Sequence, residues 1–127
     1  MSRPRARELT ERELEVMHIF WSVGEATAQT VRDRLSAAGL NRNYTTIANL
    51  VRLLHEKGFL EQTTADRPFH YRPQRTFEEV SRGLLGDLLQ RVFRGSREQL
   101  LVRLMEQNKL SARERTILEN ILKERES

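Results

Sequence analysis

Apolar residues recur with a helical period in six stretches of this chain and with a strand-like period in one region between the third and fourth. Polar residues at the edges supply start and stop signals. Thr10 to Trp21 is the first helical stretch. Thr10 and Glu13 form a capping box at its start, and Leu9 can close a hydrophobic staple onto Leu14. Leu14, Val16, Met17, Ile19, Phe20 and Trp21 cover much of its circumference, which predicts a central place in the fold. Val23-Gly24-Glu25 reads as a turn with room for a short β-bridge. A second helix follows from Ala26 or Thr27 to Ala38, with Ala28, Val31 and Leu35 inward and Gly39 ending it. The third is the stretch on which the chain is organised, Asn43 to Lys57. Asn43 is a favoured N-cap, Gly58 stops the helix, and Ile47, Leu50, Val51 and Leu54 share one face.

Beyond Gly58 the period shortens. Phe59 to Thr64 and Phe69 to Pro73 are β-prone runs flanking the polar turn Ala65-Asp66-Arg67-Pro68. Phe59, Phe69 and Tyr71 can turn inward, leaving Arg67, His70 and Arg72 more exposed. From Thr76 the helical period returns. Three further capping boxes, Thr76/Glu79, Ser96/Gln99 and Ser111/Glu114, predict helices over 76–93, 96–107 and 111–126, with Gly95 ending the first. Their apolar stripes include Leu84 and Leu88, then Leu101 and Leu104, then Ile117, Leu118 and Ile121. Three short helices in about 50 residues cannot easily bury so many leucines alone, because so small a unit keeps a large surface fraction. Association with a second copy is the economical solution, and folding back on the N-terminal part is the other.

Two short helices joined by the polar segment Gly39 to Arg42, the second with a polar outer face, have the sequence form of a helix-turn-helix. A basic hairpin directly after it gives the order of a winged helix. The fold expected is therefore mainly α. It has an N-terminal winged helix-turn-helix over residues 1–75, three helices plus a β-hairpin wing, followed by a three-helix dimerisation domain over 76–127.

On the third helix Thr45, Asn49, Arg52 and Glu56 fall opposite the apolar stripe, and Tyr44, Thr45 and Thr46 place three hydroxyls beside unpaired backbone N–H groups. A helix entering the DNA major groove needs short polar side chains and an electropositive N-terminus. The same face also suits the solvated side of an ordinary amphipathic helix, so this stretch decides nothing alone. In a winged-helix context Arg67 and Arg72 can reach phosphates beside the groove. Arg3, Arg5 and Arg7 form a short basic arm able to follow a phosphate backbone or enter a minor groove, or else a frayed terminus.

Charge adds a modest push in the same direction. The net charge is +4. Residues 1–75 carry 12 Lys/Arg against 9 Asp/Glu, and residues 76–127 carry 10 against 9, so most of the excess sits in the first part. With no cysteine, disulfides, Cys-ligated zinc and thiolate chemistry are excluded. No apolar run reaches the roughly 18–20 residues of a membrane span, and the expected address is the cytoplasm. There is no Gly-rich phosphate loop and no HExxH, and His18, His55 and His70 show no catalytic pairing. An enzyme is thus the weakest class, and neither cofactor nor metal is expected. A protein-interaction module, using the same fold without specific DNA binding, is the competing reading; steep salt dependence would separate the two.

The strings LTERELEVMHIFW, YTTIANLVRLLHEKGFL and HYRP resemble the penicillinase-repressor family, the BlaI/MecI type of bacterial transcriptional regulators, over Leu9 to about Lys123. The resemblance implies a homodimeric repressor that occupies a palindromic operator. It puts Asn43, Tyr44, Thr45, Thr46, Asn49 and Arg52 on the recognition helix and Arg67 and Arg72 on the wing. Position 48, Arg in some relatives, is Ala here, so the operator sequence does not carry over. Antibiotic-responsive members are cleaved in helix 5 in response to a membrane sensor protease. The matching bond is Arg103–Leu104, where those relatives have Asn–Phe, so the inducing signal does not carry over either. A copper-sensing branch uses C-terminal cysteine pairs, which this chain lacks.

Overall fold

A computed structural model describes residues 9–107 and 109–126. The arginines Arg3, Arg5 and Arg7 lie outside the described residues. The element order is α1 (Glu11–Val23), α2 (Ala28–Ala37), α3 (Tyr44–Glu56), β1 (Leu60–Gln62), β2 (Tyr71–Pro73), α4 (Phe77–Arg91), α5 (Arg97–Gln107) and α6 (Ala112–Glu126). This is a mainly helical winged helix-turn-helix with three further helices, as the periodicity predicts.

Local chemistry explains the boundaries. Thr10 caps α1 through its side-chain oxygen, which accepts from the Glu13 N–H at 3.1 Å, while the Glu13 carboxylate accepts from the Thr10 N–H at 2.9 Å. Thr27 caps α2, and Asn43 caps α3 by accepting from the Thr45 N–H at 2.7 Å. Both α2 and α3 end in the paired bonds of a Schellman motif. In α3 the Phe59 N–H donates to the Leu54 carbonyl at 2.9 Å and the Gly58 N–H to His55 at 3.1 Å. Gly58 sits at φ +86°, where a side chain would strain the backbone.

That motif also shortens the wing. The hairpin is expected to begin at Phe59, but the Phe59 N–H is committed to the end of α3, and its pairing with β2 starts only at Leu60. The strands are antiparallel, with Leu60 opposite Pro73, Glu61 opposite Arg72 and Gln62 opposite Tyr71. A β-bridge between Ala26 and Tyr71, with reciprocal bonds of 2.9 Å, stitches the α1–α2 connection to the hairpin.

Two compact units divide the chain, the first running to Gly86 and the second beginning at Asp87. The division falls within α4, beyond the residue-75 boundary expected from the capping pattern. The core of the first unit explains why. Val16, Met17 and Phe20 of α1, Val31 and Leu35 of α2, Ile47, Val51 and Leu54 of α3, and Phe59, Leu60 and Tyr71 of the wing are all buried, and Val80 of α4 is buried with them. The Trp21 indole N–H donates to the Arg75 carbonyl at 2.9 Å, and the Trp21 and Phe77 rings meet edge-on at 5.4 Å. The start of α4 therefore belongs to the first unit's core.

In the second unit the caps form where the sequence places them. Ser96 accepts from the Gln99 N–H, and Ser111 and Glu114 make both halves of a capping box. Apolar burial is another matter. Leu101, Leu104, Ile117, Leu118 and Ile121 are each 42–55% exposed, and no described residue of α5 is buried.

Candidate nucleic-acid interface

α3 is amphipathic in the structure as in the sequence. Ile47, Val51 and Leu54 are buried, while Tyr44, Thr45, Thr46, Asn49 and Arg52 are exposed. Asn43 is exposed as well, but its side-chain oxygen is occupied by the cap, which leaves only its amide N–H groups free to donate outward. The first turn of α3 thus combines three hydroxyls with the positive end of the helix.

The wing brings two arginines to the same unit in different states. Arg67 is exposed, with its guanidinium carbon over the Phe69 ring, 5.5 Å from the centroid. The Arg67–Pro68 peptide bond is cis. Arg72 donates to Glu61 at 2.9 Å, its cross-strand neighbour in the hairpin. Arg52 is likewise engaged, donating to Glu56 one turn on at 2.8 Å. Both pairs are more than 40% exposed, and exposed ion pairs are worth about 0–1 kcal/mol. Exchanging the carboxylate for a phosphate therefore costs little.

A groove runs between the start of α2, α3 and the wing. Thr27, Ala28 and Gln29 form one wall, Tyr44, Ala48, Asn49 and Arg52 the second, and Arg67, Pro68 and Phe69 the third. The first wall is absent from the sequence reading. Its signal was present in Thr27, whose side chain caps α2 and so places the start of that helix at the residues that line the groove. Gln29 donates to Asp33 at 2.9 Å and is exposed.

Behind its exposed face, α3 is held by ion pairs from α1. Lys57, the C-cap of α3, donates to Glu13 at 2.9 Å, and Glu13 is 2% exposed. Burial pushes the Glu13 carboxyl up, but the Thr10 N–H, the Lys57 ammonium and the Thr10 hydroxyl together outweigh it and hold the group below its ordinary value. Burial alone raises the Tyr71 phenol.

Each histidine has a defined neighbour. His55 shares a ring-nitrogen hydrogen bond with the Leu60 carbonyl, His70 one with the Pro68 carbonyl, and His18 lies edge-on to Trp21. Among the described residues no group of three or more His, Cys, Asp or Glu could hold a metal, and no helix is long and apolar enough to cross a membrane.

The sequence profile of the penicillinase repressor family matches residues 9–124. The chain belongs to the penicillinase repressor family. The methicillin resistance regulatory protein MecI of Mammaliicoccus sciuri is 26% identical over 117 residues, which cover 91% of this chain and 93% of that protein. MecI of Staphylococcus aureus strain N315 is 25% identical over the same shares. Among solved structures, the DNA-binding domain of the repressor BlaI superposes with a TM-score of 0.51 at 25% identity, covering 60% of this chain and 92% of that domain. The structure of hsRosR-SG in complex covers 94% of each chain with a TM-score of 0.54 at 17% identity, a likeness of fold alone. As a member of the penicillinase repressor family, the chain is supported as a DNA-binding transcriptional repressor.

The other predicted site residues fall in the α4–α6 region. Leu88, Leu101, Leu104, Ile117, Leu118 and Ile121 are exposed. Leu84 differs: one turn after Val80 on the same face of α4, it is partly buried against the first unit's core. Arg103 and Leu104 are both exposed in the middle of α5, where Arg103 donates to Glu106 at 2.8 Å.

Proposed function

We propose that the chain is a homodimeric, sequence-specific repressor that occupies a palindromic operator in the cytoplasm. In this reading Tyr44, Thr45, Thr46, Asn49 and Arg52 face base edges and phosphates of the major groove, with the Asn43 amide beside them. Arg67 and Arg72 of the wing grip the flanking backbone. Leu88, Leu101, Leu104, Ile117, Leu118 and Ile121 join two copies, with Leu84 at the margin.

The observation that carries the reading is α3 itself. Its apolar face packs on the core through Ile47, Val51 and Leu54 with Leu50 partly buried, and its other face, exposed from the first turn onward, offers hydroxyl, amide and guanidinium groups without a carboxylate until Glu56. Major-groove readers require this combination. The uncovered leucines of α5 and α6 supply the reason for pairing. One winged helix makes few phosphate contacts, whereas two that are tethered bind as a unit, the second at high effective concentration. The two α3 helices then meet successive major-groove faces ~34 Å apart or a multiple of it. Cutting Arg103–Leu104 in α5 would separate the reader from part of the pairing surface and release DNA. A membrane sensor protease is the class of partner that would trigger it.

The test is selection of bound duplexes from random-sequence and genomic DNA by the purified full chain, followed by gel shift at two salt concentrations. An enriched palindrome, bound by a dimer with an affinity that falls steeply with salt, is the expected result. Weak uniform binding with no enriched sequence would sink the reading in favour of a protein-interaction module.

A further inference from the structure

The geometry points to Glu13 and Glu15 of α1 as positioning residues that clamp the two ends of α3 and set the angle at which it meets DNA. The inference rests on the DNA-reading role proposed for α3 and adds what sets its specificity.

Glu15 takes the N-terminal end. Arg42, the residue immediately before the N-cap Asn43, donates through Nε to one Glu15 oxygen at 3.3 Å and through Nη2 to the other at 3.0 Å. Both side chains are only 22% exposed, and the two-point geometry fixes direction as well as distance. Arg12, on α1 itself, lies 3.6 Å from the same carboxylate. Glu13 takes the other end through Lys57, the C-cap, whose ammonium donates to Oε1 at 2.9 Å, and the Thr10 N–H donates to the same oxygen at 2.9 Å. Glu13 is inside the core boundary and its Oε2 finds no hydrogen-bond partner among the described residues. Buried carboxylates are costly, and this one is retained where an apolar side chain could fill the volume.

Between these two points, α3 touches α1 through apolar packing, which is non-directional. Such packing resists separation better than it resists tilt. A helix of this length is roughly 20 Å long, and tilting it by roughly 10° about its middle moves each end by roughly 1.7 Å. Hydrogen bonds to base edges do not survive such a displacement, since N–H···O contacts weaken beyond ~3.2 Å. Phosphate contacts from flexible arginines do survive it. The clamp therefore matters for telling sequences apart more than for holding DNA. Its N-terminal member matters most, because Arg42 adjoins the turn that carries Tyr44, Thr45 and Thr46.

The same residues allow a rival account, in which Arg42 is itself a phosphate contact and Glu15 only its resting partner. The two accounts make opposite predictions for Glu15→Ala. The full chain and its variants would be titrated with two duplexes of equal length, the sequence enriched by the wild-type protein and a random one, across a salt series. The clamp predicts that Glu15→Ala, and more mildly Glu15→Gln, lowers affinity for the enriched duplex about tenfold. Affinity for random DNA and the salt slope stay as in the wild type, and the double change Glu15→Arg with Arg42→Glu restores the ratio of the two affinities. Circular dichroism and urea denaturation of each variant confirm that it is folded. Unchanged or tighter binding of the enriched duplex by Glu15→Ala overturns the inference, as does a parallel fall in both affinities. If the wild-type chain enriches no sequence, the DNA-reading proposal itself has failed. If it discriminates and Glu15→Ala discriminates equally, only the clamp has.

Discussion

The two units of this chain spend their apolar residues in opposite ways. The first sends aromatics and aliphatics from α1, α2, α3, the wing and the start of α4 into one core, and apart from Leu53 the exposed side chains of α3 carry polar groups. The second forms capped helices of good length whose leucines and isoleucines stand about half exposed. Helix formation and burial are thus separable. Caps and propensity suffice to specify a helix, whereas a stable core needs an opposing surface, and α5 and α6 supply too little of one to each other. The first unit's sequence thus specifies a core as well as helices, while the second's specifies helices whose apolar faces stay about half exposed.

That contrast can be broken most forcefully in the core. Phe20→Ala should cost about 4 kcal/mol, read by urea denaturation and independent of protein concentration. Leu104→Ala should leave the monomer unchanged and show its cost only as a concentration-dependent midpoint. A Leu104→Ala loss that ignores concentration would erase the distinction between the units. Next in size, Leu101→Glu combined with Ile117→Glu should convert a dimer to a monomer in sedimentation and weaken operator binding by roughly 100-fold through lost effective concentration. A double variant that stays dimeric would move the pairing surface elsewhere.

Glu13→Gln sharpens the comparison from inside the first unit, with an expected loss of about 2 kcal/mol because Lys57 and the Thr10 N–H lose a charged acceptor. The carboxyl titrates below its ordinary value of 4.5, so its contribution is complete above that pH and is lost as pH falls through the lower folded-state value. Melting temperatures between pH 6 and pH 3 should therefore fall more steeply for the wild type than for Glu13→Gln; parallel curves would remove Glu13 from the acid response. The smallest effects belong to the surface. Arg72→Ala should change stability by less than ~0.5 kcal/mol, since its pair with Glu61 is exposed. It should weaken binding to all duplexes a few-fold and reduce the salt slope by about one. A sequence-dependent loss would place Arg72 on a base instead.

Most of the secondary structure was legible because its signals are local. Thr10, Asn43, Ser96 and Ser111 act on N–H groups two or three residues away, and Gly39 and Gly58 act on the turn they occupy. The wing was legible as a hairpin but too long at both ends: the demand of α3 for the Phe59 N–H removes its first residue, and at the turn end the strand pairing stops at Gln62 opposite Tyr71. The exposed face of α3 was legible from period alone. Three things were not. The pairs Glu13–Lys57 and Glu15–Arg42 span 44 and 27 positions, and nothing in spacing selects one lysine or arginine over another. Thr27 and Gln29 join the groove only because the bridge from Ala26 to Tyr71 draws the start of α2 against the wing. The apolar period of α4 runs unbroken from Val80 to Leu88, so the sequence cannot show that its first turns enter the first unit's core while Leu85 and Leu88 stay exposed.

Trp21 is the single tryptophan of the chain, and its indole N–H is bonded to the Arg75 carbonyl just before α4 begins. Its emission therefore comes from one known place, the seam where the reader's core receives the helix that leads out of it. Any event that peels α4 from α1 has to break that bond and admit water to the ring, which shifts fluorescence to the red. The molecule thus carries a built-in optical gauge of that seam, usable without a label in any binding or cleavage experiment.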